Sequence, residues 1–411
     1  MLKFLTLALL AGSAMATPSS FRVEIRPRQD TSKYPPVLEV VDQAHVPKEW
    51  LDALKTAVSA GKIPDIPASV LDKATGVNTY PNGVGTDPKT CSWTINQCYG
   101  KNELHEAPDG KIAVNFDDGP TTNSDSLYDF LGQNSQSATH FMIGSNVVQN
   151  AAQFKKAVDL GNQHFAVHTW SHNLMTTLTN EQIVGELGWT MQAIADQSGG
   201  YIPRYWRPPQ GDIDNRVRAI AEEVFGLTSV IWNKDTDDWC LDDQGGSSCS
   251  DEQPDKIKGS VKPWITGPKS PGLIILEHEL THASIDIFKG YYPDLKGLGW
   301  DAMNIAQLSG AEWYKNAADS KAKPDDRKLL GAYQSAAPAA ASSTSSAAPA
   351  AKTSSGASGQ AASSSGAASA AKSGSTQPAT KSNQTSGAAS STTGLGMVSL
   401  AAVVGGLAYL L

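Results

Sequence analysis

A chain of 411 residues, 40% hydrophobic and 18% charged, can bury the core of one large domain or two modest ones. Its formal net charge of −8, from 41 acidic and 33 basic side chains, comes with no basic stripe. That balance argues against nucleic acid as a partner and favours solubility.

Residues 1–16, MLKFLTLALLAGSAMA, carry one early lysine, an apolar run and Ala14-Met15-Ala16, the layout of a secretory signal cleaved before Thr17. Residues 17–108 form an extension ahead of the main domain. Within it, 46–60 (VPKEWLDALKTAVSA) has Pro47 near its start and apolar residues at helical spacing, which predicts an amphipathic helix packed on the core with Trp50 inward. The four cysteines of a secreted chain should pair. They fall as two local couples, Cys91 with Cys98 and Cys240 with Cys249, at spacings that are not those of a zinc knuckle.

Residues 109–315 alternate. Strands are predicted at 112–116, 138–143, 164–167, 227–232 and 272–276, and helices at 124–131, 146–160, 180–197, 212–224 and 281–289. Repetition of this kind means an α/β domain with largely parallel strands, whose chemistry sits on the loops after the strands' carboxyl ends. Beyond a connecting segment, 316–334, the stretch 335–394 is Ala, Ser, Gly and Thr with almost nothing bulky, a disordered stalk suited to O-glycosylation, with a sequon at Asn383. The apolar, uncharged tail 395–411 follows the small residues Ser386-Gly387 after a short polar spacer, the order of a glycosylphosphatidylinositol attachment signal. The expected location is therefore secreted, with a lipid tether to the plasma membrane, the cell wall or both. A single membrane span is the rival, but the tail is at the short limit for spanning.

His278-Glu279-Leu280-Thr281-His282 spells H-E-x-x-H, the zinc-protease signature. Its surroundings speak against that reading: GLIIL runs as strand up to His278, and no third ligand follows at the spacings such enzymes use. The strand-end loops form a different set. Asp117 and Asp118 stand together in FDDGP, where adjacent carboxylates repel unless a cation sits there, although capping the next helix would also explain them. His168 and His172 in HTWSH reach one point if the segment turns helically, and two histidines with a carboxylate are a familiar zinc set. Arg207 and two prolines stiffen WRPPQG, a rigid wall of the kind an oxyanion hole requires. DTDDW and LEH complete the series.

FDDGP, HTWSH, WRPPQG, DTDDW and LEH, in that order across about 109–314, resemble the motifs of the polysaccharide deacetylases of the NodB-like, carbohydrate esterase 4 type, and most closely those of secreted fungal chitin deacetylases. The resemblance implies a distorted, incomplete β/α barrel with a divalent metal, zinc before cobalt, at its mouth. Carried across by position, it gives Asp118, His168 and His172 to the metal and makes Asp117 the general base, oriented by Arg207. His278 becomes the general acid, tuned by Asp238. Trp206 and Trp239 would wall the groove, Leu276 would line the acetyl-methyl pocket, and the Gln210 main-chain N–H would hold the oxyanion. Three departures stand out: Gln210 where an aromatic is usual, Asn115 for threonine, and Glu279 for aspartate.

The implied activity is hydrolysis of N-acetyl groups on chitin or partly deacetylated chitosan. The alternatives are a wall-anchored carbohydrate-binding or structural protein that keeps the fold, and a deacetylase of single glucosamine units or acetylxylan. A two-carboxylate glycosidase is disfavoured because neighbouring aspartates do not lie on opposite sides of a glycosidic bond. No protein partner can be read.

Overall fold

The computed structural model describes residues 31–73, 76–249 and 253–330. The expected leader at 1–16, stalk at 335–394 and tail at 395–411, and the sites expected at Asn383, Ser386 and Gly387, lie outside the described residues. Residues 31–72 and 78–330 form one compact unit.

The apolar run expected as one strand at 112–116 is two, β1 Lys111–Ala113 and β2 Asn115–Gly119. Val114 divides them: its N–H donates to the Met303 carbonyl at 2.8 Å while its own carbonyl accepts Thr139 N–H at 2.9 Å. It thereby passes the chain from one sheet to the next. From β2 a parallel sheet continues through β3 Thr139–Met142, β4 His164–Val167, β5 Tyr205–Trp206 and β6 Thr228–Ser229. From β1 a second runs through β8 Leu273–Leu276 to β7 Lys234–Asp235, and β9 Asp301–Met303 pairs with the other edge of β1. Every residue of THFM, HFAV and LIIL is buried, as strands covered by helices on their outer face require.

Two seams join the sheets. At one, Asp117 N–H donates to Glu277 O (2.9 Å) and Glu279 N–H to Asp117 O (3.1 Å). At the other, the strand expected at 227–232 is interrupted between β6 and β7. There Leu104 of the extension is inserted, accepting from Ile231 N–H (2.7 Å) and donating to Ser229 O (3.0 Å). The result is a distorted, incomplete β/α barrel.

The helix expected at 46–60 is α1 Lys48–Ser59, burying Trp50, Leu54 and Ala57. Next comes α2 Ser124–Gln133. The helix expected at 146–160 is a pair, α3 Gly144–Gln149 and α4 Ala151–Asp159, broken at Asn150, whose side chain donates to Pro120 O at 3.0 Å. A capping box between Thr179 and Gln182 opens α5 Asn180–Ser198, and left-handed Gly199 closes it. α6 Asn215–Phe225 starts after the expected 212, because Asp214 is its N-cap. α7 Pro254–Thr266 was not expected. α8 His282–Gly297 runs past the expected end at 289, and α9 Ile305–Ser309 follows. Disulfides join Cys91 to Cys98 and Cys240 to Cys249.

Candidate active site and metal centre

Asp117 and Asp118 lie within β2 rather than after it. Neighbours on a strand normally point to opposite faces. Here the register slips between Asp117 and Gly119, and Asp118 takes a left-handed φ of 72°, a bulge that turns its carboxylate to the same mouth as that of Asp117. Asp118 Oδ1 is 3.2 Å from His168 Nε2 and 3.1 Å from His172 Nε2. HTWSH is not helical. Thr169 (φ 65°) and His172 (φ 58°) are both left-handed, and His172 N–H donates to Thr169 Oγ1 at 3.1 Å, so a tight turn brings the two rings together.

These residues suit a divalent cation. His168 Nδ1–H donates to the Arg207 carbonyl at 2.8 Å, which leaves the Nε2 lone pair facing Asp118. Asp118 Oδ1 is buried and has no hydrogen-bond partner, and one donor atom from each of the three residues lies within 4.8 Å of the others. Burial raises the Asp118 pKa, but the neighbouring His172 ring outweighs it and holds the carboxyl well below the usual range. His172 is correspondingly raised, burial opposing and Asp118 prevailing.

Arg207, fully buried, grips Asp117 Oδ1 at 2.7 Å, and Asp117 Oδ2 looks across 3.6 Å to His168. On the other side of the seam, Asp238 receives both the main-chain N–H of His278 (2.9 Å) and its Nδ1–H (2.6 Å), leaving Nε2 as the ring's remaining nitrogen. Burial pushes the His278 pKa down, but Asp238, with Asp118 and Asp117 further off, raises it to about 10. Gln210 and Asp237 also take left-handed φ, 54° and 58°.

Leu276 is buried at the end of β8, and Trp239 is 41% exposed next to Cys240. Trp206 does not fit its expected place: it is fully buried in β5, so it walls no open groove. The H-E-x-x-H pattern also dissolves. His282 is the exposed first residue of α8, near Ser126 and apart from the three-residue cluster, whereas His278 lies in the loop after β8.

Two of the three departures have structural partners. Asn115 donates to Ile275 O (3.0 Å) and Ala113 O (3.3 Å), bracing the two sheets. Glu279 reaches His140 Nδ1 at 2.9 Å, both side chains fully buried. His140 Nε2 faces Gln163 Oε1 at 3.2 Å; that amide's orientation is fixed because its nitrogen donates to Gln136 O and Asn162 Oδ1, while its oxygen accepts Ala138 N–H. Both ring nitrogens thus face acceptors, so a proton lies between His140 and Glu279 whichever of them owns it. Gly119 makes room for this: a Cβ there would come 2.2 Å from the Glu279 carboxyl.

Residue-by-residue reading of the sequence missed Glu186, a carboxylate in the buried stripe of α5 that accepts Trp170 N–H, Ser171 N–H and Ser171 Oγ–H, each at 2.8 Å. A charge among Ile183, Val184 and Leu187 was the available signal. Glu277, which accepts Tyr291 Oη–H at 2.8 Å, was missed as well; burial first, then Asp238, pushes its pKa well above the usual value.

A family profile described as polysaccharide deacetylase matches residues 105–229. Chitin deacetylase 3 of Cryptococcus neoformans var. neoformans is 45% identical over 295 residues, covering 70% of this chain and 68% of that protein. That alignment is longer than the whole stretch 109–315. A chitin deacetylase of Amylomyces rouxii is 37% identical over 219 residues, 51% of each chain. Among solved structures, the chitin deacetylase from the fungal pathogen Colletotrichum lindemuthianum is similar at 21% identity and a TM-score of 0.44, covering 50% of this chain and 90% of that one. On the strength of the Cryptococcus relative, this chain belongs to the polysaccharide deacetylase family.

Proposed function

We propose that this protein hydrolyses the N-acetyl groups of N-acetylglucosamine residues in chitin or partly deacetylated chitosan, releasing acetate, with zinc as its metal. The carrying observation is the convergence of Asp118, His168 and His172 beside an Arg207-held Asp117, with an Asp238-held His278 across the seam. The names of the fungal relatives support the substrate class.

Asp118, His168 and His172 would hold the metal, whose Lewis acidity makes a water easier to deprotonate and a carbonyl more open to attack. Asp117 Oδ2, the oxygen Arg207 leaves free, removes the water's proton. The Gln210 main-chain N–H takes charge from the carbonyl oxygen. His278 Nε2 gives its proton to the sugar nitrogen as the C–N bond breaks, and Asp238 holds the ring to that task. Acetate and a free amine result. Trp239 offers a face for the sugar chain, and Leu276 an apolar contact for the acetyl methyl.

The test pairs metal content with acetate release from a length series of N-acetylglucosamine oligomers, with and without chelator. Asp117→Asn is expected to keep the metal and lose turnover, whereas His172→Ala loses the metal. Full activity in both rejects the assignment. Metal-loaded protein that retains chitin but releases no acetate points instead to a wall-bound binding protein.

The order of residues 1–16 and 386–411 supports secretion and a lipid tether at the cell surface. Release from cells by a phosphatidylinositol-specific phospholipase tests it.

A further inference from the structure

The 168–172 turn that carries both imidazoles is held from behind by Glu186 and Ser145 and by residues 34–41, which lie well ahead of the matched stretch 105–229. Glu186 Oε2 accepts the Trp170 and Ser171 N–H groups at 2.8 Å, and Oε1 accepts Ser171 Oγ–H at 2.8 Å and Val41 N–H at 3.0 Å. One fully buried carboxylate therefore ties the turn and the extension together. A second tie runs through Ser145, whose Oγ accepts Leu38 N–H (2.8 Å) and donates to Trp170 O (2.6 Å). Trp170 Nε1–H donates to Pro36 O at 2.8 Å, and the ring stacks on Tyr34 at 5.8 Å between centroids. The fit is close: a Cβ on Gly185 would lie 2.5 Å from Val41 Cγ1.

The turn needs such holding. Thr169 and His172 are both left-handed, and side chains in that conformation persist only where surrounding contacts over-determine them. We propose that the strap 34–41 is a positioning element of the metal centre: through Glu186 and Ser145 it fixes the turn in which His168 and His172 meet Asp118. The inference rests on the reading of those three residues as the metal ligands.

The test uses the full chain loaded with Co²⁺, whose visible absorption reports the coordination sphere, and follows metal loss to excess chelator. Groups that orient metal ligands change affinity by roughly 10–100-fold when altered. Tyr34→Leu and Ser145→Ala, which loosen the strap, and Glu186→Gln, at the junction, should each speed Co²⁺ release about tenfold or more and change the absorption band. Leu54→Ala, in the same extension but buried in α1, should lower the Tm and leave release within about twofold. Should Tyr34→Leu and Ser145→Ala retain Co²⁺ as Leu54→Ala does, the strap only stabilises the fold and the proposal is overturned, whatever Glu186→Gln does. His172→Ala separates the two readings: if it holds Co²⁺ like the unaltered chain, the ligand set itself is wrong.

Discussion

Replacing Glu279 tests the buried network behind the site. With alanine, His140 Nδ1 is left without its 2.9 Å partner at a place that water does not reach. An unmet buried polar group costs about 1–3 kcal/mol, and breaking a buried ion pair about 3–5 kcal/mol. Glu279→Ala should therefore cost about 1–3 kcal/mol if the pair is neutral and about 3–5 kcal/mol if it is an ion pair. At roughly 2–4 °C per kcal/mol for a domain of this size, the ion-pair cost is a fall in Tm on the order of 10 °C. Glu279→Asp draws the carboxylate back by about one C–C bond, roughly 1.5 Å, beyond hydrogen-bonding reach, so it should behave more like alanine than like glutamine. Glu279→Gln can still bond to the ring and should cost only about 1 kcal/mol. Urea unfolding of the three variants, with a double-mutant cycle against His140→Ala, provides the measure. A Glu279→Asp protein as stable as the unaltered one, or a coupling energy below about 0.5 kcal/mol, would refute the reasoning.

Three further outcomes are expected. His278, raised to about 10 with burial opposing and Asp238 prevailing, keeps its proton where the unfolded chain loses it near 6.5. Its contribution to stability is therefore complete below about pH 6.5 and lost as pH rises through about 10, so the gap between chelator-treated wild type and Asp238→Asn should be widest near pH 6. A gap that does not change with pH excludes this origin. Gly119→Ala would place a methyl within 2.2 Å of the Glu279 carboxyl and should cost about 1–3 kcal/mol by overpacking, read as a lowered denaturation midpoint. Trp239→Ala should raise KM for long oligomers more than for short ones, with kcat nearly kept; equal effects across the length series would remove Trp239 from the groove.

Much of the site could be read in the chain because its chemistry uses rare residues at strand ends. With only eight histidines present, His168 and His172 on a loop equivalent to that of Asp117 and Asp118 stood out. The manner of their meeting could not be read. An H-x-x-x-H spacing suggests a helical turn, but the left-handed Thr169 and His172 and the bulge at Asp118 are set by hydrogen bonds to distant partners, Glu186 among them. The breaks at Val114 and after Ser229 were hidden for the same reason: Met303 and Leu104, which cause them, lie far off in sequence. Trp206 shows the limit of motif position, since the neighbour of a mouth residue on a strand can point straight into the core. Helix α7 went unread because Pro263 and its lysines blur the apolar stripe of Ile257, Val261 and Ile265.

Asp118, Thr169, His172, Gln210 and Asp237 all bear side chains in a backbone region that glycine occupies freely and other residues enter at roughly 1–2 kcal/mol each. At Gln210, whose side chain is exposed and whose proposed role is that of its main-chain N–H alone, glycine would relieve the backbone and raise thermal resistance, while freeing that stretch to sample shapes in which its neighbours face elsewhere. A heat-tolerant variant obtained by that route should therefore be a slower one, since the rim is useful for its stiffness before any sugar arrives.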